Sequence, residues 1–319
     1  MPPFAQLILR GLSLTIILLT GAAAAETPAI ELSRDSVASL PIVISEQASA
    51  DVRQFADELA SYLGKMSGAK FAVETGNGSR GIVVGQPADF AALPFELAFE
   101  SGPFHREDYV LRSHPNGLYL LGASDLAVSH AIWDLLYRLG YRQFFPGPTW
   151  EVIPEARDLE LAVDVNESPD FYSRRIWYNW GLWGYNDQPY QQWCIRNRAT
   201  QGFRLNSGHA YDSILAANGD VFAAHPEYFA EIDGKRRTEG GDIKFCISNP
   251  GLRKLVVEHA VRAVKASPDL DSVSMDPSDG GNWCTCGACR QTGSVSDRAL
   301  TLANEVARAI NGLGLGEKY

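Results

Sequence analysis

The chain has 319 residues, 45% of them hydrophobic and 21% charged, with a formal charge of −10. That apolar content excludes a disordered tail and allows a large core, and the length suggests about two domains. An acidic balance without any lysine–arginine stripe interleaved with aromatics excludes a phosphate backbone as a natural partner, so nucleic acid is not expected.

Residues 1–25 read as a secretory signal. Arg10 precedes the apolar run from Leu12 to Leu19, and Ala23-Ala24-Ala25 supplies the small-x-small pattern, with cleavage before Glu26. The alternative, a membrane anchor, needs ~20 apolar residues, which this run and every later segment lack. Without a twin arginine, export of an unfolded chain to the periplasm or cell exterior is expected. Cleavage removes Arg10 and makes the net charge −11.

Residues 26–165 are expected to form a small α+β domain. The runs at 41–45, 71–75, 81–85, 108–113 and 117–123 are strand-like, several with turn residues on both flanks. "HPNG" between the last two marks an antiparallel hairpin, and a mostly antiparallel sheet with two helices beside it is the expectation. The helices fall at about 48–66 and 124–139, the second capped by Ser124 or Asp125 and ended by Gly140.

"NESPDF" (166–171) reads as a linker, after which residues 170–319 change to a strand–helix rhythm. Expected strands at 174–180, 202–209, 243–248 and 271–275 are followed by helices near 187–200, 250–266 and 296–311, with an inserted hairpin after the second strand. This rhythm predicts a parallel sheet with crossover helices, most simply the first half of a (β/α)8 barrel. Four such units cannot close a barrel. The sequence stops where a fifth strand is due, so the expectation is a truncated chain, or a half-barrel that pairs with something else.

Barrel chemistry sits on loops after the carboxyl ends of strands, and "SMDPSDGGNWCTCGACR" (274–290) follows the fourth. Asp276 and Asp279 are the candidate catalytic pair, since two carboxylates in one cleft can divide acid and base roles as glycosidic cleavage demands. The same residue types also build turns. Cys284, Cys286 and Cys289 form C-x-C-x-x-C, and Cys246 closes the preceding strand. Four thiolates around a tetrahedral zinc would make a closed structural site. Two disulfides are the alternative in an exported chain, although three cysteines within six residues strain such loops; free thiols are the third reading. Cys194 reads as an unpaired core residue.

Other strand ends add Asn179 with Trp180, and Asn206 with His209, as candidate substrate contacts; Asn249 before Pro250 reads as a helix cap. Arg175, with Arg174 and Arg204, could clamp a carboxylate or pair with the chain's own excess acid. Residues 171–193 are dense in aromatics, whose flat rings suit either a core or the apolar face of a sugar. There is no H-E-x-x-H, no G-x-S-x-G and no P-loop, so zinc-protease, α/β-hydrolase and nucleotide readings lack their machinery.

"HPEYFAEIDGKR" (225–236), "FCISNP" (245–250) and "SMDPSDGGNWCTCGAC" (274–289) resemble the hallmarks of a large group of exported bacterial proteins of unassigned function in the glycoside-hydrolase barrel superfamily. "GLYLLGASDLAVSHAIWDLLYRLGYRQFFPG" (117–147) is similar to the N-terminal domain of family 67 α-glucuronidases and to the non-catalytic domain preceding the barrel in β-hexosaminidases. One distant cysteine followed by C-x-C-x-x-C also resembles the structural zinc site of family 42 β-galactosidases, which implies zinc at Cys246, Cys284, Cys286 and Cys289. The resemblance implies an exported glycoside hydrolase acting by carboxylate acid/base chemistry on a polysaccharide or oligosaccharide, uronic-acid-containing ones included. The alternatives are a non-catalytic glycan-binding protein on a barrel scaffold, or a structural adaptor.

Overall fold

The computed structural model describes residues 27–174, 176, 184–267 and 270–315. The expected signal segment, and Arg175, Asn179 and Trp180, lie outside the described residues.

The first half builds strands β1 (Ile30–Arg34), β2 (Val37–Ala38) and β3 (Ile42–Ile44), helix α1 (Ala50–Ser67), then β4 (Val73–Thr75), β5 (Gly81–Gly85), β6 (Tyr109–His114) and β7 (Gly117–Gly122). Helix α2 (Asp125–Arg138) follows, then β8 (Arg142–Gln143), β9 (Glu151–Val152), β10 (Leu159–Leu161) and β11 (Asp164–Glu167). Ser49 and Ser124 cap α1 and α2 by accepting from Val52 N and Ala127 N, satisfying N–H groups that have no partner inside the helix.

The main sheet runs β11-β6-β7-β5-β3-β4. The expected mostly antiparallel sheet is corrected to a mixed one: β3 lies parallel to β4 and β5, and β5 parallel to β7, while β6 pairs antiparallel with β7 and β11. The hairpin turn governs only β6 and β7; α1 carries the chain back across the sheet, and a strand entered after such a crossover runs parallel. The expected linker begins inside β11.

Both faces of this sheet are covered. Ile82, Val84, Leu118 and Leu120 face the core of α1 and α2, whereas the alternate residues Val83, Tyr119 and Leu121 face Phe90, Leu93 and Phe95. That explains why β5 and β7 are apolar without interruption. Gly117 stands opposite Gly81 in the β5–β7 register, and a Cβ on it would lie 2.1 Å from Gly81 O. Gly117→Ala is therefore expected to cost about 2–4 kcal/mol, read as a lowered urea midpoint at unchanged slope.

The second half contains α3 (Gly184–Arg196), α4 (Ala210–Ala217), α5 (Gly219–Ala224), the hairpin β12 (Glu231–Ile232) with β13 (Lys235–Arg236), α6 (Pro250–Ala266), α7 (Gly287–Gln291) and α8 (Val295–Asn311). Leu252, Val256, Ala260 and Val264 of α6 meet Leu302, Val306 and Ile310 of α8 in a core of their own. Asn249 caps α6 through Gly251 N and Leu252 N, as its place before Pro250 predicts. Among the described residues no helix is long and apolar enough to cross a membrane.

The expected strand rhythm is realised only in part. Residues 203–210 run parallel to 271–276, with one backbone bridge between His209 and Asp276. The rest of that seam is stitched by side chains: Ser272 Oγ accepts from Asn206 N (2.6 Å), Asp276 Oδ2 accepts from Gly208 N (3.1 Å), and Ser274 Oγ donates to Gly208 O (2.6 Å). Short polar side chains at alternate positions replace ladder acceptors there. Helix α6 is the crossover between the two segments. Residues 243–248, expected as a third parallel strand, instead lie antiparallel to 228–230: Ala230 N donates to Lys244 O, and Cys246 N to Tyr228 O. They belong to an inserted lobe, 210–249, in which α4 and α5 accompany the expected hairpin.

Two consecutive residues lock the halves together. Arg106 forks onto the fully buried Asp271 (2.5 and 2.9 Å) and also donates to Gly202 O. Glu107, 3% exposed, accepts from Arg174 Nη2, Thr200 Oγ1 (2.8 Å) and Gly202 N (2.8 Å).

Candidate functional site

The four cysteines of the expected metal set converge. Cys286 is the N-cap of α7 and accepts from Cys289 N, which fixes the C-x-x-C pair one helical turn apart. Cys246 Sγ stands 3.8 Å from both Cys286 Sγ and Cys289 Sγ, and all four sulfurs lie within 4.8 Å of one another. A tetrahedral ion with ~2.3 Å metal–sulfur bonds sets its sulfurs about 3.8 Å apart. All four are free thiols; Cys246, Cys284 and Cys289 are buried.

Donors surround the sulfurs. Glu231 N donates to Cys284 Sγ (3.2 Å), and the Ser248 hydroxyl lies 3.2 Å from Cys289 Sγ and 3.5 Å from Cys246 Sγ. The hydrogen bond from Cys284, with help from Ser248 and the Arg236 guanidinium, pulls the Cys246 thiol down to about 4 against the opposing effect of burial. The hydrogen bond to Cys246, with burial, pushes the Cys284 thiol the other way, up. Four sulfurs fill a tetrahedron and leave no open position, so such a centre can brace but not catalyse. It joins the inserted lobe, through Cys246, to the loop after residue 276, through the other three.

That braced loop borders an open polar face at the carboxyl ends of the two parallel segments. His209 Nε2 lies 3.3 Å from Asp279 Oδ1, whose side chain is 84% exposed, and His209 Nδ1 lies 4.0 Å from Asp212 Oδ2. The Ser278 hydroxyl lies 2.9 Å from Ile243 O and 3.2 Å from Asp212 Oδ1. Lys244, 1% exposed, donates its ammonium to Asp279 O (2.6 Å) and Asp242 O (3.2 Å) beside the Trp283 ring. Burial lowers its pKa, partly offset by Asp242, Asp212 and Asp279.

Of the candidates read from the sequence, Asp276, Asp279 and His209 share this face. Asp276 spends one carboxylate oxygen on Gly208 N, whereas Asp279 keeps its carboxylate in solvent beside His209. Asn206 joins His209 on the lining of a cleft of about 370 Å3 backed by α4 and α6. Asp212, Asp242 and Lys244 were not singled out in the sequence. A lysine inside the apolar run "IKFCIS" was the available signal, because a buried ammonium needs fixed acceptors. Cys194 is free and half-buried. Arg174 pairs with the chain's own Glu107.

The fold and the site thus define a mixed α/β protein with a closed tetrathiol cluster beside an open acid–histidine face. The chain belongs to the family described as Domain of unknown function (DUF4838), which matches residues 145–312, just over half of its length. Among solved structures it is similar to a GH20 beta-N-acetylhexosaminidase from Streptomyces coelicolor A3(2), at 13% identity and a TM-score of 0.42 over 90% of this chain and 63% of that one. It is similar also to the Streptomyces plicatus N-acetyl-beta-hexosaminidase, at 14% identity and a TM-score of 0.40 over 89% of this chain and 62% of that one. The chain spans less than two thirds of the length of either. No curated protein matches the sequence.

Proposed function

We propose that the chain is an exported glycoside hydrolase, with residues 26–165 as an accessory α+β domain and residues 170–319 as part of a (β/α) barrel whose open face handles a carbohydrate. One observation carries the reading: Asp276, Asp279 and His209 meet at the carboxyl ends of two parallel segments, where barrel enzymes keep their chemistry. Asp279, exposed and within reach of His209, is suited to exchanging a proton with a bound glycoside. Asp276 holds the loop in place through Gly208 N and contributes charge. A zinc ion on Cys246, Cys284, Cys286 and Cys289 would hold the loop that carries Asp279.

The test is turnover of a panel of aryl glycosides by the full chain. Asp279→Asn is expected to lower kcat by ~100-fold or more with folding and glycan binding retained, and Asp276→Asn to lower both kcat and loop stability. Full activity in both single variants and in the double variant would move the chemistry elsewhere. Glycan binding with no turnover of any substrate would favour a non-catalytic glycan-binding protein on the same scaffold.

A further inference from the structure

A second recess lies away from the acid–histidine face, where the end of α2, strand β8 and helix α3 meet. Its volume is about 290 Å3, roomy enough for one sugar ring. Four rings line it, Tyr137, Tyr141, Phe144 and Trp193, and its two charged residues are both arginines, Arg142 and Arg196. An all-basic lining is unexpected in a chain of charge −10.

The two arginines are not equivalent. Arg196 is neutralised by Glu151 (2.9 Å) and Glu58 (3.6 Å). Arg142 donates Nη1 to the carbonyls of Tyr137 and Tyr141, both at 2.6 Å, and its guanidinium lies 3.5 Å over the Tyr137 ring. Among the described residues it pairs with no carboxylate. Two carbonyls and a ring therefore hold a planar cation rigid with the rest of its fork uncompensated, which is the arrangement that binds an oxyanion bidentately at small entropic cost.

The walls indicate what carries the anion. Phe144 is 66% exposed, and an aromatic face in solvent next to fixed polar groups matches the apolar face of a pyranose. The wall is held in place: Trp193 Nε1 and Asn197 Nδ2 both donate to Gln143 O at 3.1 Å. Asn197, with Tyr137 and Arg142, also lines the adjoining cleft of about 620 Å3, so a chain of sugars can continue past the recess.

We propose that this recess is a binding subsite for an acidic sugar, with the ring stacked on the Phe144 and Trp193 wall and its carboxylate on Arg142. The proposal deepens the carbohydrate reading by naming uronic-acid units, and rests on that reading for the class of ligand, not on turnover at Asp279.

The experiment is calorimetric titration of the full chain with glucuronic acid, glucose and acetate as separate probes, repeated with Arg142→Gln and Phe144→Ala. Glucuronate is expected to bind at least ~10-fold more tightly than glucose, and Arg142→Gln to abolish that difference while leaving glucose binding unchanged. Phe144→Ala, at an exposed position that does not threaten folding, is expected to weaken both sugars by ~3-fold or more. Glucuronate affinity that survives Arg142→Gln overturns the proposal, as does equal affinity for glucose and glucuronate. Acetate binding as tightly as glucuronate would leave a carboxylate site and overturn the sugar assignment. Because the readout is binding, failure of every glycoside to turn over would remove the hydrolase reading alone.

Discussion

With zinc on the four thiols, as proposed, Cys289→Ser is expected to release the ion and to lower the Tm by about 12 °C. The variant removes one of four converging thiols and leaves three sulfurs packed around a vacant centre. A bound ion contributes its affinity to folding, because the ligand set is assembled only in the folded chain. Taking roughly 4 kcal/mol for the lost coordination, and roughly 3 °C per kcal/mol for a unit of this size, gives that shift. A chelator should reproduce it in the wild type, and elemental analysis should find about one zinc per wild-type chain and none in the variant. Cys194→Ser is the control: this thiol is half-buried and free, so metal content should not change. Wild-type protein that contains no metal and carries its four thiols as two disulfides would end the zinc reading.

The second large effect is expected at Glu107. Its two carboxylate oxygens receive Arg174, Thr200 and Gly202, and Glu107→Ala would leave a guanidinium and a backbone N–H at the junction without their acceptor. Breaking a buried ion pair by removing one partner costs about 3–5 kcal/mol, because the remaining charge stays desolvated. The calorimetric transition should fall by roughly 10 °C, and the cores on either side of the junction should begin to melt separately. Glu107→Gln, which keeps an acceptor but not the charge, should lose less. His130 belongs to the same knot: its Nε2 lies 2.9 Å from Thr200 Oγ1, and burial pushes it down to about 4. A single unshifted transition in Glu107→Ala would show that the remaining contacts across the junction, Arg106–Asp271, Arg196–Glu151 and Arg198–Asp134 among them, suffice to join the halves.

Local elements were legible because their signals are local. Ser124, Asn249 and Gly140 sit where a cap or a stop is needed, and the helices 50–67, 125–138, 250–266 and 295–311 lie within a few residues of the expected spans. The sheet direction was not legible, since an "HPNG" turn speaks only for the two strands it joins. The third expected strand failed for a related reason. "IKFCIS" is apolar whether it lies in a parallel sheet or against residues 228–230, and the sequence alone does not say which neighbour takes its hydrogen bonds.

The sequence by itself determined the chemistry that can be present: C-x-C-x-x-C with one distant cysteine, carboxylates on a turn-rich loop, and aromatics far above average density, because residue type and short spacing are written along the chain. Only the tertiary structure decided which groups meet. Cys246 reaches the other three sulfurs because an inserted lobe folds back antiparallel to 228–230. Asp279 meets His209, and Lys244 lies under the same loop, because two extended segments 66 residues apart run in parallel register. Arg142 is left uncompensated because a ring and two carbonyls hold it away from every carboxylate it could pair with among the described residues. Long-range pairing is settled by packing and loop closure over the whole chain, and no short window of sequence contains that information.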